Sequence, residues 1–171
     1  MIGILALLLV TNAASPTAAE ARSLAAVAIF RDACTLGAVR LSAHRGRILP
    51  WKQVPDYADI LDWSKSTTQK KAIRFDGLPS TYLVFADYRD PQPRSIAKTC
   101  VVVSRAISKR DATEVFLETA RSSEAEPKCA TQYCWREWTI DRPELGYRKR
   151  LKFRDDGSVL LEVATYARPN H

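Results

Sequence analysis

The patterning of this chain predicts an α+β domain: a mainly antiparallel sheet with an N-terminal helix and a mid-chain helix packed on one face, closed by a C-terminal β-hairpin. Three observations carry that expectation. Asp155-Asp156-Gly157 stands between two alternating runs, the strongest hairpin signal in the sequence. Two stretches rich in β-branched and aromatic residues, Ser80 to Tyr88 and Lys98 to Ile107, flank the turn-forming Asp90-Pro91-Gln92-Pro93. Two further segments, one before and one after this strand pair, space their apolar residues as helices do. Helix, strands, helix, strands is the order of an α+β fold rather than of a parallel sheet.

In chain order, the apolar run Ile2 to Val10 has the length of a signal-peptide core and about half that of a bilayer-spanning helix. Asn12 and Pro16 end it. Ala19-Glu20-Ala21 then offers the small-x-small pattern of a cleavage site, with Thr17-Ala18-Ala19 as a second candidate. No Lys or Arg precedes the run, a departure from the usual pattern. The expected organisation is a cleaved signal peptide at 1–21 and a single domain at 22–171, about the size of one ordinary core. The expected location is therefore the periplasm or the medium, without a transmembrane anchor.

From Ser23 to Cys34 the apolar residues Leu24, Val27, Ala28 and Phe30 predict the opening helix, with Gly37 as a stop beyond it. Asp56 could cap a short helix through Leu61 and Trp63, and the polar run Ser64 to Lys71 reads as a loop before a strand at Ala72 to Phe75. After the strand pair, Asp111 and Glu114 form a capping-box arrangement that opens a helix from Ala112 to Arg121, buried through Val115, Phe116 and Ala120. Strands follow at Trp135 to Ile140, Gly146 to Arg154 and Ser158 to Ala167.

Four cysteines, Cys34, Cys100, Cys129 and Cys134, lie in the expected mature part, and an even count in an oxidising compartment predicts two disulfides. Three connectivities are possible. The short Cys-Ala-Thr-Gln-Tyr-Cys segment favours Cys129 with Cys134, leaving Cys34 with Cys100. No Cys-x-x-Cys is present to suggest redox catalysis.

The formal net charge is +7, and cleavage after Ala21 would remove Glu20 and no basic side chain. Such a balance directs attention to anionic partners. The segment Arg148-Lys149-Arg150-Leu151-Lys152-Phe153-Arg154 concentrates the charge, because a strand period of two places Arg148, Arg150, Lys152 and Arg154 on one face and Lys149, Leu151 and Phe153 on the other. These four cations form a candidate anion-binding site, Arg engaging an oxyanion bidentately and Lys as a point charge. Glu162, across the hairpin, is the acidic residue able to neutralise part of that face. The competing reading is a solvated strand face whose charges discourage aggregation.

Other chemistry has less support. His44 and His171 are far apart, so no metal site is expected, and no cofactor motif is present. His44 lies among cations that would disfavour the imidazolium a Ser-His-Asp hydrolase must form, and no catalytic residue is assigned. Asp56 with Asp59, or Glu124 with Glu126, could serve as acid and base but carry no motif. Trp135 and Trp138 fall on opposite strand faces, so at least one belongs to a core rather than a carbohydrate platform.

The motifs Phe30-x3-Cys34, Thr81-Tyr82-Leu83-Val84-Phe85, Lys98-Thr99-Cys100-Val101-Val102 and Pro143-x2-Gly146-Tyr147 before a closing hairpin resemble a skeleton that recurs among small, uncharacterised exported proteins of Gram-negative bacteria. The resemblance spans most of the expected mature chain. It implies pairing of Cys34 with Cys100 and transfers no catalytic residue; the Cys129 and Cys134 pair and the basic late strand depart from it. The expected function is that of a non-enzymatic exported binding protein, its basic sheet face taking an anionic envelope polymer, a lipid head group or an acidic protein. The alternative is a small periplasmic hydrolase built on carboxylates. Nucleic acid is a less accessible partner outside the cytoplasm.

Overall fold

A computed structural model of the chain describes residues 15–34, 46–61, 67–89, 96–120, 128–130, 133–140 and 147–166. Helix α1 (Ala18–Ala33) precedes strands β1 (Gly46–Leu49), β2 (Thr67–Phe75), β3 (Leu78–Tyr88) and β4 (Ile96–Ser104); helix α2 (Lys109–Ala120) follows, then β5 (Lys128–Ala130), β6 (Tyr133–Ile140), β7 (Tyr147–Arg154) and β8 (Val159–Tyr166). All eight strands form one sheet in the order β1-β2-β3-β4-β8-β7-β6-β5, every neighbouring pair antiparallel. The C-terminal hairpin therefore joins the N-terminal meander through β4 and β8, whose pairing runs from Ile96 with Tyr166 to Ser104 with Val159.

Both helices begin earlier than periodicity alone indicates. Helix α1 is capped by Thr17: its hydroxyl accepts from the Glu20 N–H at 3.2 Å, and the Glu20 carboxylate accepts from the Thr17 N–H at 2.8 Å. This reciprocal box satisfies two amides that would otherwise lack partners. Helix α2 is capped one turn upstream of the expected box, because the Asp111 N–H donates to the Ser108 hydroxyl at 3.0 Å. That frees the Asp111 side chain for tertiary work. It accepts from the buried Ser23 hydroxyl of α1 at 2.5 Å, while the same Ser23 oxygen accepts from the Ser108 N–H at 2.8 Å. The hydrogen bonds from Ser23, Ser108 and Arg110 hold the Asp111 carboxyl below the ordinary carboxylate pKa, with the Ser23 contact the largest cause.

The central strands are apolar on both faces, as expected of strands covered on both sides. On one side Ala26, Ile29 and Phe30 of α1 and Val115 and Phe116 of α2 share a buried cluster with Leu83, Phe85, Val102, Leu151 and Leu161. Both helices contribute to this one cluster, and the structure adds a second cover that the patterning did not predict. On the second side Leu49, Ala58 and Leu61 bury against Ala72, Tyr82, Val84, Val101, Val103 and Leu160. This second cover is the segment 50–61, which holds two single 3-10 turns, Trp51–Gln53 and Asp56–Ala58, rather than a short helix from Asp56. Pro50 and Pro55 each precede one of these turns, and proline ahead of a turn favours such interruption. Tyr57 clamps the cover: its ring meets Tyr82 edge-on at 5.8 Å, and the Arg105 guanidinium lies 4.1 Å from its centroid.

The polar run expected as a loop contributes instead to β2 from Thr67 onward, because pairing with β3 rather than burial defines that half of the strand. Cys34, just past α1, is bonded to Cys100 on β4 with Cα atoms 5.5 Å apart. Cys129 and Cys134 are bonded across directly opposed positions of β5 and β6, with Cα atoms 4.1 Å apart. The β7–β8 turn carries Gly157 at φ +77°, a conformation that favours glycine, and the Ser158 N–H donates to the Asp156 carboxylate at 2.9 Å. No helix among the described residues is long and apolar enough to cross a membrane.

Candidate anion-binding pocket

Strand β7 alternates as its sequence dictates. Lys149 and Leu151 are buried on the helix side, while Arg148, Arg150, Lys152 and Arg154 occupy the positions facing the other way. Register fixes what stands beside each cation: Arg148 is opposite Ala164, Arg150 opposite Glu162 and Lys152 opposite Leu160. One strand further, Ala164, Glu162 and Leu160 meet Thr99, Val101 and Val103 of β4.

The cations do not lie on an open surface. They line a cavity of about 460 Å³ together with Glu162, Leu160, Thr99, Tyr88 and Ile96 of the sheet, and Asp59 and Ile60 of the covering segment. The cover thus turns a charged strand face into a concave site, of the size that takes a small ligand. Four cations against two carboxylates leave the lining with an excess of two positive charges.

Glu162 is 5% exposed, and its charge is already engaged. Oε1 accepts from Arg148 Nη2 at 3.0 Å, Oε2 from Arg150 Nε at 2.7 Å, and the Thr99 hydroxyl donates to Oε1 at 3.4 Å. A buried carboxylate is tolerable only when paired and hydrogen-bonded in this way. The pairing also fixes two long guanidinium side chains against the sheet. Arg154 Nη1 donates to the Tyr57 carbonyl at 2.9 Å and so ties β7 to the cover. Burial, followed by the neighbouring Arg150 and Arg154 charges, holds the Lys152 ammonium below its ordinary pKa of 10.5.

Asp59 differs from Glu162. Its Oδ2 accepts from the Trp51 indole N–H at 3.3 Å, whereas Oδ1 is buried without a hydrogen-bond donor among the described residues. Asp56, its expected partner as acid or base, is exposed outside the pocket. His44, His171, Glu124 and Glu126 lie outside the described residues, as does the side chain of Trp138; Trp135 is half-buried. No group of His, Cys, Asp or Glu suited to a metal occurs among the described residues.

No protein-family model matches the chain, and no curated protein or solved structure is significantly similar to it. The chemistry of the pocket is therefore read from its own lining. The sequence brought the four cations and Glu162 together through strand period and hairpin register. It gave no signal for Tyr88, Ile96 or Ile60, which reach the cavity from segments distant in the chain.

Proposed function

We propose that this protein is an exported, non-enzymatic binding protein that takes an anionic group, a phosphate or carboxylate of an envelope component, into the pocket beneath residues 50–61. The two helices brace the opposite face of the sheet. The observation that carries this reading is the convergence of Arg148, Arg150, Lys152 and Arg154 on one partly covered cavity with an excess of positive charge. Guanidinium groups already oriented by Glu162 lose little freedom when they bind an oxyanion. Two disulfides support an oxidising compartment.

The hydrolase alternative requires two carboxyl groups free to act on a substrate. Asp59 and Glu162 do line one cavity, but both Glu162 oxygens accept from guanidinium donors, which counts against it.

Titration of the full chain with n-propyl phosphate tests the binding reading. The informative variant is Lys152→Gln, because removing Arg148 or Arg150 would take a counter-ion from the buried Glu162 carboxylate and removing Arg154 would cut the tie between β7 and the cover. The variant should lose at least about threefold in affinity, and wild-type binding should weaken steeply with added salt. Unchanged affinity in a variant with a native circular dichroism spectrum would exclude the pocket as the anion site.

A further inference from the structure

Resting on that reading, we infer that the pocket selects a phosphate ester carrying its own ammonium group over a plain anion, with Asp59 as the selecting residue. The two carboxylates of the lining are not equivalent. Glu162 belongs to the sheet and is neutralised by Arg148 and Arg150. Asp59 belongs to the cover, and the indole N–H of Trp51 is the hydrogen bond it receives, with Oδ1 left unpartnered among the described residues. A carboxylate with so few donors in a partly closed cavity favours any occupant that brings one.

The same charge repels a plain anion drawn in by β7. A ligand with phosphate at the cation row and ammonium toward Asp59 meets both signs of the lining. Ile60, Ile96 and Leu160 supply apolar wall in the same cavity for a short alkyl link between the two groups. Selection of this kind comes from the unfavourable contact offered to the wrong ligand as much as from the favourable contact offered to the right one.

Phosphoethanolamine and n-propyl phosphate differ by one ammonium-for-methyl exchange, so their calorimetric titration into the full chain isolates this contact. Wild type should bind phosphoethanolamine at least about tenfold more tightly. Asp59→Asn keeps an oxygen for the Trp51 N–H. It should bring the two affinities within about twofold while binding n-propyl phosphate more tightly than wild type does. Equal binding of the two ligands by wild type, or a preference that survives Asp59→Asn, overturns the selectivity and leaves the anion site standing. Binding of neither ligand overturns both. Cosedimentation with phosphatidylethanolamine vesicles, competed by glycerophosphoethanolamine, assigns the group to a lipid; soluble binding without cosedimentation assigns it to a free ester.

Discussion

Glu162 on β8 stands directly across the ladder from Arg150 on β7, and the guanidinium Nε donates to the carboxylate Oε2 at 2.7 Å. Arg148 holds the other oxygen, so one buried carboxylate orders two of the four pocket cations. Glu162→Gln should therefore move stability and binding in opposite directions. Loss of the shared counter-ion should cost about 2–3 kcal/mol, below the cost for a fully buried pair because Arg150 is partly exposed. Affinity for n-propyl phosphate should rise by about threefold or more, since the pocket gains one unit of positive charge. Urea denaturation and calorimetry on the same variant check both signs; a fall in both quantities would mean that guanidinium placement outweighs net charge.

The two disulfides should contribute unequally. Cys34–Cys100 closes a separation of 66 residues and ties the end of α1 to the central strand β4, whereas Cys129–Cys134 closes a separation of 5 at the far edge of the sheet. Loop entropy predicts a loss of about 4 kcal/mol for the paired Cys34→Ala and Cys100→Ala variant and about 2 kcal/mol for Cys129→Ala with Cys134→Ala. Equilibrium unfolding in urea should rank them in that order, and the reverse order would show that the sheet edge governs stability.

Asp111 gives the fold an acid dependence. Its pKa is lowered in the folded state relative to the ordinary 3.8, chiefly by the Ser23 hydroxyl. The carboxylate therefore contributes its full stabilisation above the unfolded pKa and loses it as pH falls through the folded value. Asp111→Asn should be less stable than wild type by about 1–3 kcal/mol near neutrality. The difference should shrink as pH falls from the unfolded value of 3.8 through the lowered folded one, where wild type becomes protonated too. Melting temperatures of the two proteins across that range test the sign, and a constant difference would place the effect in packing rather than charge.

Legibility of the fold from sequence followed the locality of the forces. The Asp156-Gly157 hairpin, the alternation of β7 and the strands around Val84 and Val102 depend on neighbours in the chain, and each stands where patterning put it. The start of α2 was displaced because Ser108 satisfies the same chemical requirement as the Asp111 cap first favoured and Ser23 engages the Asp111 carboxylate instead, whereas the Thr17 cap of α1 lies ahead of the apolar spacing that marked that helix. The cover was the least legible part. Residues 50–61 have no strong period, and their place over Tyr82 and Val101 is set by two apolar sheet faces needing burial at once. For the pocket, the cationic half was legible and the Asp59 half was not, since nothing local couples Asp59 to β7.

The cover anchored at Tyr57 and Arg154 has an evolutionary corollary. Charge is supplied by a strand in the interior of the sheet order, where change is constrained on both sides, while the opposing wall is supplied by a short segment outside the sheet. Ligand preference could thus drift through substitutions at positions such as Asp59 and Ile60 while the eight-stranded frame stays as it is.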